Sequence, residues 1–194
     1  MKPPATAEAF SATYRQTYAE VLRFVRRRAH PLVADDIVSE TFAIAWVRRD
    51  RLPAEPLPWL YNTARNVMLN ASRSGGRQSA IAVRLAGFAE ASDRQDDRGI
   101  ADLERRIDLA AAFSTLSPAD QEVLALDAWE DLDAKAASTA LGCSRATYSM
   151  RLTRARRRLA ALLTEVPDAS ARLASTLSSP PKSQAPLSHS RPVR

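Results

Sequence analysis

Residues 133–163 read DAKAASTALGCSRATYSMRLTRARRRLAALL, and this stretch decides the fold. Small and apolar residues run to Leu141, where Gly142 can take the left-handed conformation that ends a helix. Ser144 then offers a side-chain oxygen to the free N–H groups of a following helix. That second helix carries Arg145, Arg151, Arg154, Arg156, Arg157 and Arg158, and no acidic residue lies between Asp133 and Glu165. A short helix, a glycine turn and a basic helix form the helix-turn-helix pattern, whose second helix lies in the DNA major groove.

Upstream of it, Leu116-Ser117-Pro118 marks a stop and restart. Ser117 is an N-cap, Pro118 takes the first helical position, and Asp120 and Glu122 complement the helix dipole. Before that, Leu103, Ile107, Leu109 and Phe113 keep a helical period. Residues 75–104 read as a flexible acidic linker, because EASDRQDDRG is strongly polar and aperiodic. Within it, Ile81, Val83, Leu85 and Phe88 could form a short docking helix. Downstream, residues 166–194 turn Ser-, Pro- and Ala-rich, and the expectation is a disordered tail that has too little to bury.

The N-terminal part carries three further helical patterns. Phe10, Tyr14, Tyr18, Val21, Leu22 and Val25 give a helix from Ala7 to about Arg28, with Arg23, Arg26, Arg27 and Arg28 as a solvated cationic end. His30-Pro31 breaks it. A second helix opens at about Ala34, buries Val38, Phe42, Ala45 and Trp46, and shows Asp36, Glu40, Ala43 and Val47 on another stripe. After the proline-rich loop LPAEPLP, Trp59 starts a third, with Leu60, Ala64, Val67, Met68 and Ala71 on its apolar face and Ser74-Gly75-Gly76 as its stop. The fold class is therefore all-α, with two small helical domains, 7–74 and 105–165, joined by the flexible linker.

Composition narrows the function. The net charge is +6 and the pI about 10.1 over 194 residues, which suits an anionic partner such as nucleic acid. One cysteine rules out a disulfide framework or a multi-cysteine zinc site, and two histidines leave little for a metal, so no metal or cofactor is expected. Neither a phosphate-cradling GxxxxGK[ST] nor HExxH occurs, and His30 beside a proline makes a poor base, so no enzyme is expected. Without a signal peptide or a run of about 20 apolar residues, the expected location is cytoplasmic with no membrane insertion. Cys143 reads as a small buried hydrophobe.

The order of these segments resembles the extracytoplasmic-function (ECF) sigma factors of the sigma-70 family. ADDIVSETFAIAW looks like that family's core-binding helix, PWLYNTARNVMLNASR like its promoter-melting and minus-ten helix, and LSPADQEVLAL with RATYSMRLTRARRRL like its fourth region. The resemblance covers about residues 10–73 and 105–163. It implies a subunit that binds the RNA polymerase core and directs promoter recognition and transcription initiation.

Carried over, Asp35, Asp36 and Glu40 face the clamp helices of the polymerase's largest subunit, where charge complementarity favours fast docking. Trp59, Tyr61, Asn62, Arg65, Asn66 and Arg73 handle the minus-10 element, whose single-stranded bases stack on aromatics in a cationic groove. Arg145, Thr147, Tyr148, Ser149 and Arg151 face the minus-35 major groove, and Arg154 and Arg156, with Arg157 and Arg158, hold phosphates. An anti-sigma factor is a further implied partner. Four positions depart from the family pattern: Ala136 and Ala137 stand where a Glu and an Ile are usual, Ser149 where a Lys is common, and Asn70 where an Asp is common. The rival reading is a helix-turn-helix regulator acting without core polymerase, which leaves ADDIVSETFAIAW and PWLYNTARN without a purpose.

Overall fold

A computed structural model describes residues 6–74 and 100–177; in 72–74, 100–104 and 165–177 it describes the backbone only. The expectations for Ile81, Val83, Leu85 and Phe88, for most of the 75–104 linker and for the tail beyond Leu177 therefore lie outside the described residues. Seven α-helices and no strand occur among those described: α1 (Ala7–Arg26), α2 (Pro31–Val47), α3 (Leu57–Ser74), α4 (Ile100–Thr115), α5 (Pro118–Trp129), α6 (Ala134–Leu141) and α7 (Arg145–Leu177). A short 3₁₀ turn, Arg49–Arg51, follows α2.

Local chemistry sets the boundaries. Thr6 caps α1, its oxygen accepting from the Ala9 N–H at 3.2 Å. Ser117 caps α5 by accepting from the Asp120 N–H at 3.2 Å. Asp133 caps α6 at 2.7 Å and Ser144 caps α7 at 3.1 Å. Gly142 takes φ +64, as the turn requires, and a Cβ there would stand 2.9 Å from the Asn62 side-chain nitrogen. No residue but glycine satisfies both constraints at low cost.

Several sequence expectations shift. α2 begins at Pro31 rather than Ala34, because proline serves as N1 and the His30 Nδ1 accepts from the Leu32 N–H at 3.3 Å. For the same reason α3 begins at Leu57, with Pro58 inside its first turn. α4 opens at Ile100, and α7 runs to Leu177, into the stretch expected to be a disordered tail. The helix formers in ASARLASTL outweigh the single break at Pro167.

Helices α1, α2 and α3 pack on one another, and α4, α5 and α6 pack on α7. The two groups also meet, α3 lying against α6. Their buried residues form one hydrophobic cluster, from Val21, Phe24, Val38 and Leu60 across to Leu126, Ala137, Tyr148 and Ala155. Trp46, expected in the core, is 39% exposed; it meets Phe10 edge-on at 5.1 Å and carries the Arg49 guanidinium over its face at 4.5 Å. Buried Gln121 donates to the carbonyls of Phe113 at 3.1 Å and Leu116 at 3.1 Å, closing the orphan end of α4.

Candidate nucleic-acid interfaces and the cleft between them

Two helices carry the residues singled out for DNA. On α7, Arg145, Ser149, Arg151 and Arg154 are exposed, and Thr147 is half-buried with its hydroxyl 2.8 Å from Ser144 Oγ. Helical spacing puts Arg145, Ser149 and Arg156 up one flank of the open side and Thr147, Arg151 and Arg158 up the other, with Met150 and Arg154 between. Arg156 and Arg158 are both engaged within the fold: Arg156 meets Asp127 at 2.6 Å, and Arg158 meets Asp120 at 2.7 Å.

Tyr148 is not on that surface. It is 2% exposed, and burial, with Asp127 nearby, raises its phenol above the ordinary range. With Leu152, Ala155 and Leu159 it forms the inward stripe of α7. An aromatic at the start of a recognition helix fits a groove or a core equally well in sequence, and packing decides.

On α3, Trp59 is half-buried against the core and Asn66 is exposed, donating to Asn62 Oδ1 at 3.1 Å. Tyr61 is 2% exposed and stacks on Phe24 with centroids 4.3 Å apart. Burial pushes its phenol well above the ordinary range, and Glu130 and Glu20 push the same way. Asn62 donates to the Ala140 carbonyl of α6 at 3.1 Å, and Arg65 Nε donates to Glu122 of α5 at 2.7 Å. Arg73 lies where only backbone is described. Asn62 and Arg65 thus meet the C-terminal half rather than solvent, while Tyr61 is buried on Phe24 within its own half.

Beside Tyr61 a cleft of about 310 Å³ opens, lined by Glu20, Arg23, Arg27, Leu57, Trp129, Glu130 and Asp131. At its edge Arg28 Nη1 meets Glu130 Oε1 at 2.9 Å, with side chains 0% and 3% exposed. Arg27 meets Glu130 Oε2 at 3.3 Å and lies over the Trp129 ring at 5.6 Å. Burial pushes the Arg28 guanidinium below its ordinary range, with Glu130 pulling the other way. Arg28, expected at a solvated helix end, is instead a buried tie between the halves. Its pattern in the sequence, one arginine in a run, gives no sign of this.

The phenols supply a test of burial. A group whose folded pKa is raised lends stability that is complete below its unfolded pKa and is lost as pH climbs through the folded value. Tyr61 and Tyr148 both show that direction. Ultraviolet titration of the native chain is expected to leave Tyr61 and Tyr148 protonated after the ordinary phenol range. Ionisation of Tyr61 and Tyr148 within that range would contradict the packing of both rings.

On α2, Leu32, Asp36, Glu40, Ala43 and Val47 are exposed along one stripe. Leu32 is 85% exposed, so the acidic residues stand among uncovered apolar ones. Asp35 is exposed on the adjoining flank, 4.0 Å from Arg26. Among the described residues no group of three or more His, Cys, Asp or Glu could hold a metal ion, and no helix is long and apolar enough to cross a membrane.

Comparison with known proteins gives this arrangement its context. Residues 13–78 match the family described as Sigma-70 region 2, and residues 106–159 match Sigma-70, region 4. The RNA polymerase sigma factor NccH of Alcaligenes xylosoxydans xylosoxydans is 30% identical over 138 residues, covering 66% of this chain and 72% of that protein. In fold, the chain is similar to the sigma factor RpoE solved in complex with the anti-sigma factor NepR from Bartonella quintana. The TM-score there is 0.55 at 22% identity, over 81% of this chain and 98% of that one. CnrH, solved with the cytosolic domain of CnrY, gives 0.55 at 24% identity, over 82% and 90%. A plain helix-turn-helix regulator has no use for the first match, and that reading is not favoured. With both regions in order and a relative matched over most of its length, the chain belongs to the ECF sigma factors of the sigma-70 family, which direct RNA polymerase in transcription initiation.

Proposed function

We propose that the two halves divide the work of a sigma factor, with residues 7–74 binding core polymerase and the minus-10 element, and residues 105–165 binding the minus-35 element. Residues 75–104 serve as the tether between them. Asp35, Asp36 and Glu40 dock on the clamp helices of the largest subunit. The observation that supports this most directly is the uncovered acidic and apolar stripe of α2, which combines steering charge with buriable area. Trp59, Tyr61, Asn62, Arg65, Asn66 and Arg73 take the melted minus-10 strand, with LPAEPLP as a stiff wall. Arg145, Thr147, Ser149, Arg151 and Arg154 meet the minus-35 duplex, and Arg156 joins them when it leaves Asp127. Tyr148 supports the helix from within. The protein acts in the cytoplasm, holds no cofactor and has no catalytic role of its own. By analogy with RpoE, solved in complex with the anti-sigma factor NepR, an anti-sigma protein binds it.

Run-off transcription with core polymerase and host genomic DNA tests the whole reading. Discrete transcripts that require the purified chain are expected, and failure to co-elute with core in gel filtration would overturn it. Asp36→Arg is expected to remove core binding while leaving DNA binding by α7 intact; unchanged core affinity would place the docking surface elsewhere. Arg151→Ala is expected to weaken minus-35 binding by about 1–3 kcal/mol if it reads a base edge. An equal loss on all sequences with a shallower salt dependence would make it a phosphate contact.

A further inference from the structure

We infer that Asp127 is a specificity-determining residue of the minus-35 reader: it withholds Arg156 from non-specific duplex and yields it to a phosphate only when the first turns of α7 are seated in their groove. This deepens the assignment of α7 proposed above and rests on it. Helical spacing puts Arg156 on the same flank as Arg145 and Ser149. It lies seven residues beyond Ser149, which is about 10 Å along the axis. A cation there reaches the backbone beside a groove that the start of α7 enters. Its Nη2, however, already donates to Asp127 Oδ2 of α5 at 2.6 Å. The charge is therefore matched within the fold before any DNA arrives.

This pair can exchange partners. Arg156 is 61% and Asp127 29% exposed, so water reaches the carboxylate when its cation leaves. An ion pair this open is weakly held. A second pair on the same helix behaves otherwise. Arg158 Nη1 donates to both oxygens of Asp120, at 2.8 and 2.7 Å, and Ser117 Oγ donates to Asp120 Oδ2 at 2.7 Å. Asp120 is 10% exposed. Parting it from Arg158 would strand a carboxylate with little water to replace the cation. Arg158 therefore stays with α5, and Arg156 is the one of the two that moves. Distance decides the move. A phosphate must come within hydrogen-bond reach of the guanidinium to displace a carboxylate at 2.6 Å. Loose, water-separated contact with random duplex does not bring it there. A register fixed by Arg145, Ser149 and Arg151 in the groove does. Random duplex thus meets a pair with no net charge, and the seated duplex meets an arginine.

The test uses the full chain and two duplexes, one of random sequence and one that the chain selects from a randomised pool, with affinity followed against salt. Each phosphate neutralised by a cation adds about 0.9 to the steepness of log affinity against log salt. Arg156→Ala is expected to make that dependence shallower by about 0.9 on the selected duplex and to leave it unchanged on the random one. Asp127→Asn keeps the shape of the side chain and removes its charge. It is expected to do the reverse: steeper by about 0.9 on random duplex, unchanged on the selected one, with the ratio of the two affinities reduced. Asp127→Glu restores the charge and is expected to keep the wild-type pattern. Helix content by circular dichroism is expected to be retained throughout, and a merely structural role for Asp127 would shift both duplexes alike. Arg156→Ala acting equally on both duplexes shows an arginine that is never withheld, and overturns the inference. So does an Asp127→Asn chain whose dependence on salt is unchanged on random duplex. If Arg156→Ala changes neither duplex while Arg151→Ala still weakens the selected one, Arg156 leaves the DNA surface; the inference falls and the reading of α7 stands. A chain that selects no duplex overturns the reading of α7, and the inference with it.

Discussion

Glu130→Ala lowers the unfolding free energy of the chain by about 3–5 kcal/mol, the expected loss when one partner of a buried ion pair is removed. Arg28 is the reason. Its side chain is 0% exposed, its Nη1 is satisfied by Glu130 and by the Phe24 carbonyl at 3.0 Å, and its guanidinium lies 3.8 Å over the Phe24 ring. Its Nε and Nη2 have no hydrogen-bond partner. An arginine keeps its charge under such conditions, so losing the carboxylate strands a cation in the core. The pair is nonetheless an imperfect one. Replacing both partners together, as Arg28→Met with Glu130→Leu, is expected to recover most of the loss, because a buried pair of this kind about breaks even against apolar residues of similar size. Denaturant unfolding of Arg28→Met, Glu130→Leu and the double gives the coupling directly. A loss near zero in Glu130→Ala would show that water reaches Arg28 and that the halves are not tied there.

Phe24→Ala is expected to cost about 3–5 kcal/mol, the range for deleting a fully buried ring. The ring is 1% exposed, and it supports two functional features at once. One face stacks on Tyr61 at 4.3 Å, and Arg28 lies over the ring at 3.8 Å. Its removal therefore loosens the aromatic proposed for the minus-10 strand as well as the tie to Glu130. Denaturant unfolding measures the first effect. Ultraviolet titration measures the second: the Tyr61 phenol should move back toward the ordinary range, since burial is the largest cause of its shift. A stable variant with an unmoved phenol would mean that Tyr61 is enclosed by the C-terminal half alone.

The caps and the helix-turn-helix were readable because their chemistry is local. Ser117 and Ser144 each satisfy an N–H three residues on, and Gly142 bends only its own turn. Reading His30-Pro31 as a simple break placed the start of α2 too late, because proline ends one helix and opens the next equally well. Trp46 shows the limit of periodicity: a large apolar residue on the edge of a stripe is covered or uncovered according to what packs beside it.

The sequence by itself determined that this chain is helical, basic and ordered as an ECF sigma factor, with the acidic residues of α2 and the helix-turn-helix in place. Tertiary structure alone decided that Arg28 is a buried tie to Glu130 rather than a solvated cation, 102 positions away along the chain. It also decided that Tyr61 and Tyr148 turn inward and that Asn62 and Arg65 meet the C-terminal half. The physical reason is range. Capping, turns and amphipathic spacing act over about four residues and leave their mark in neighbouring letters. The partner of a charge or of an amphipathic aromatic is chosen by the distant surface that the fold brings against it.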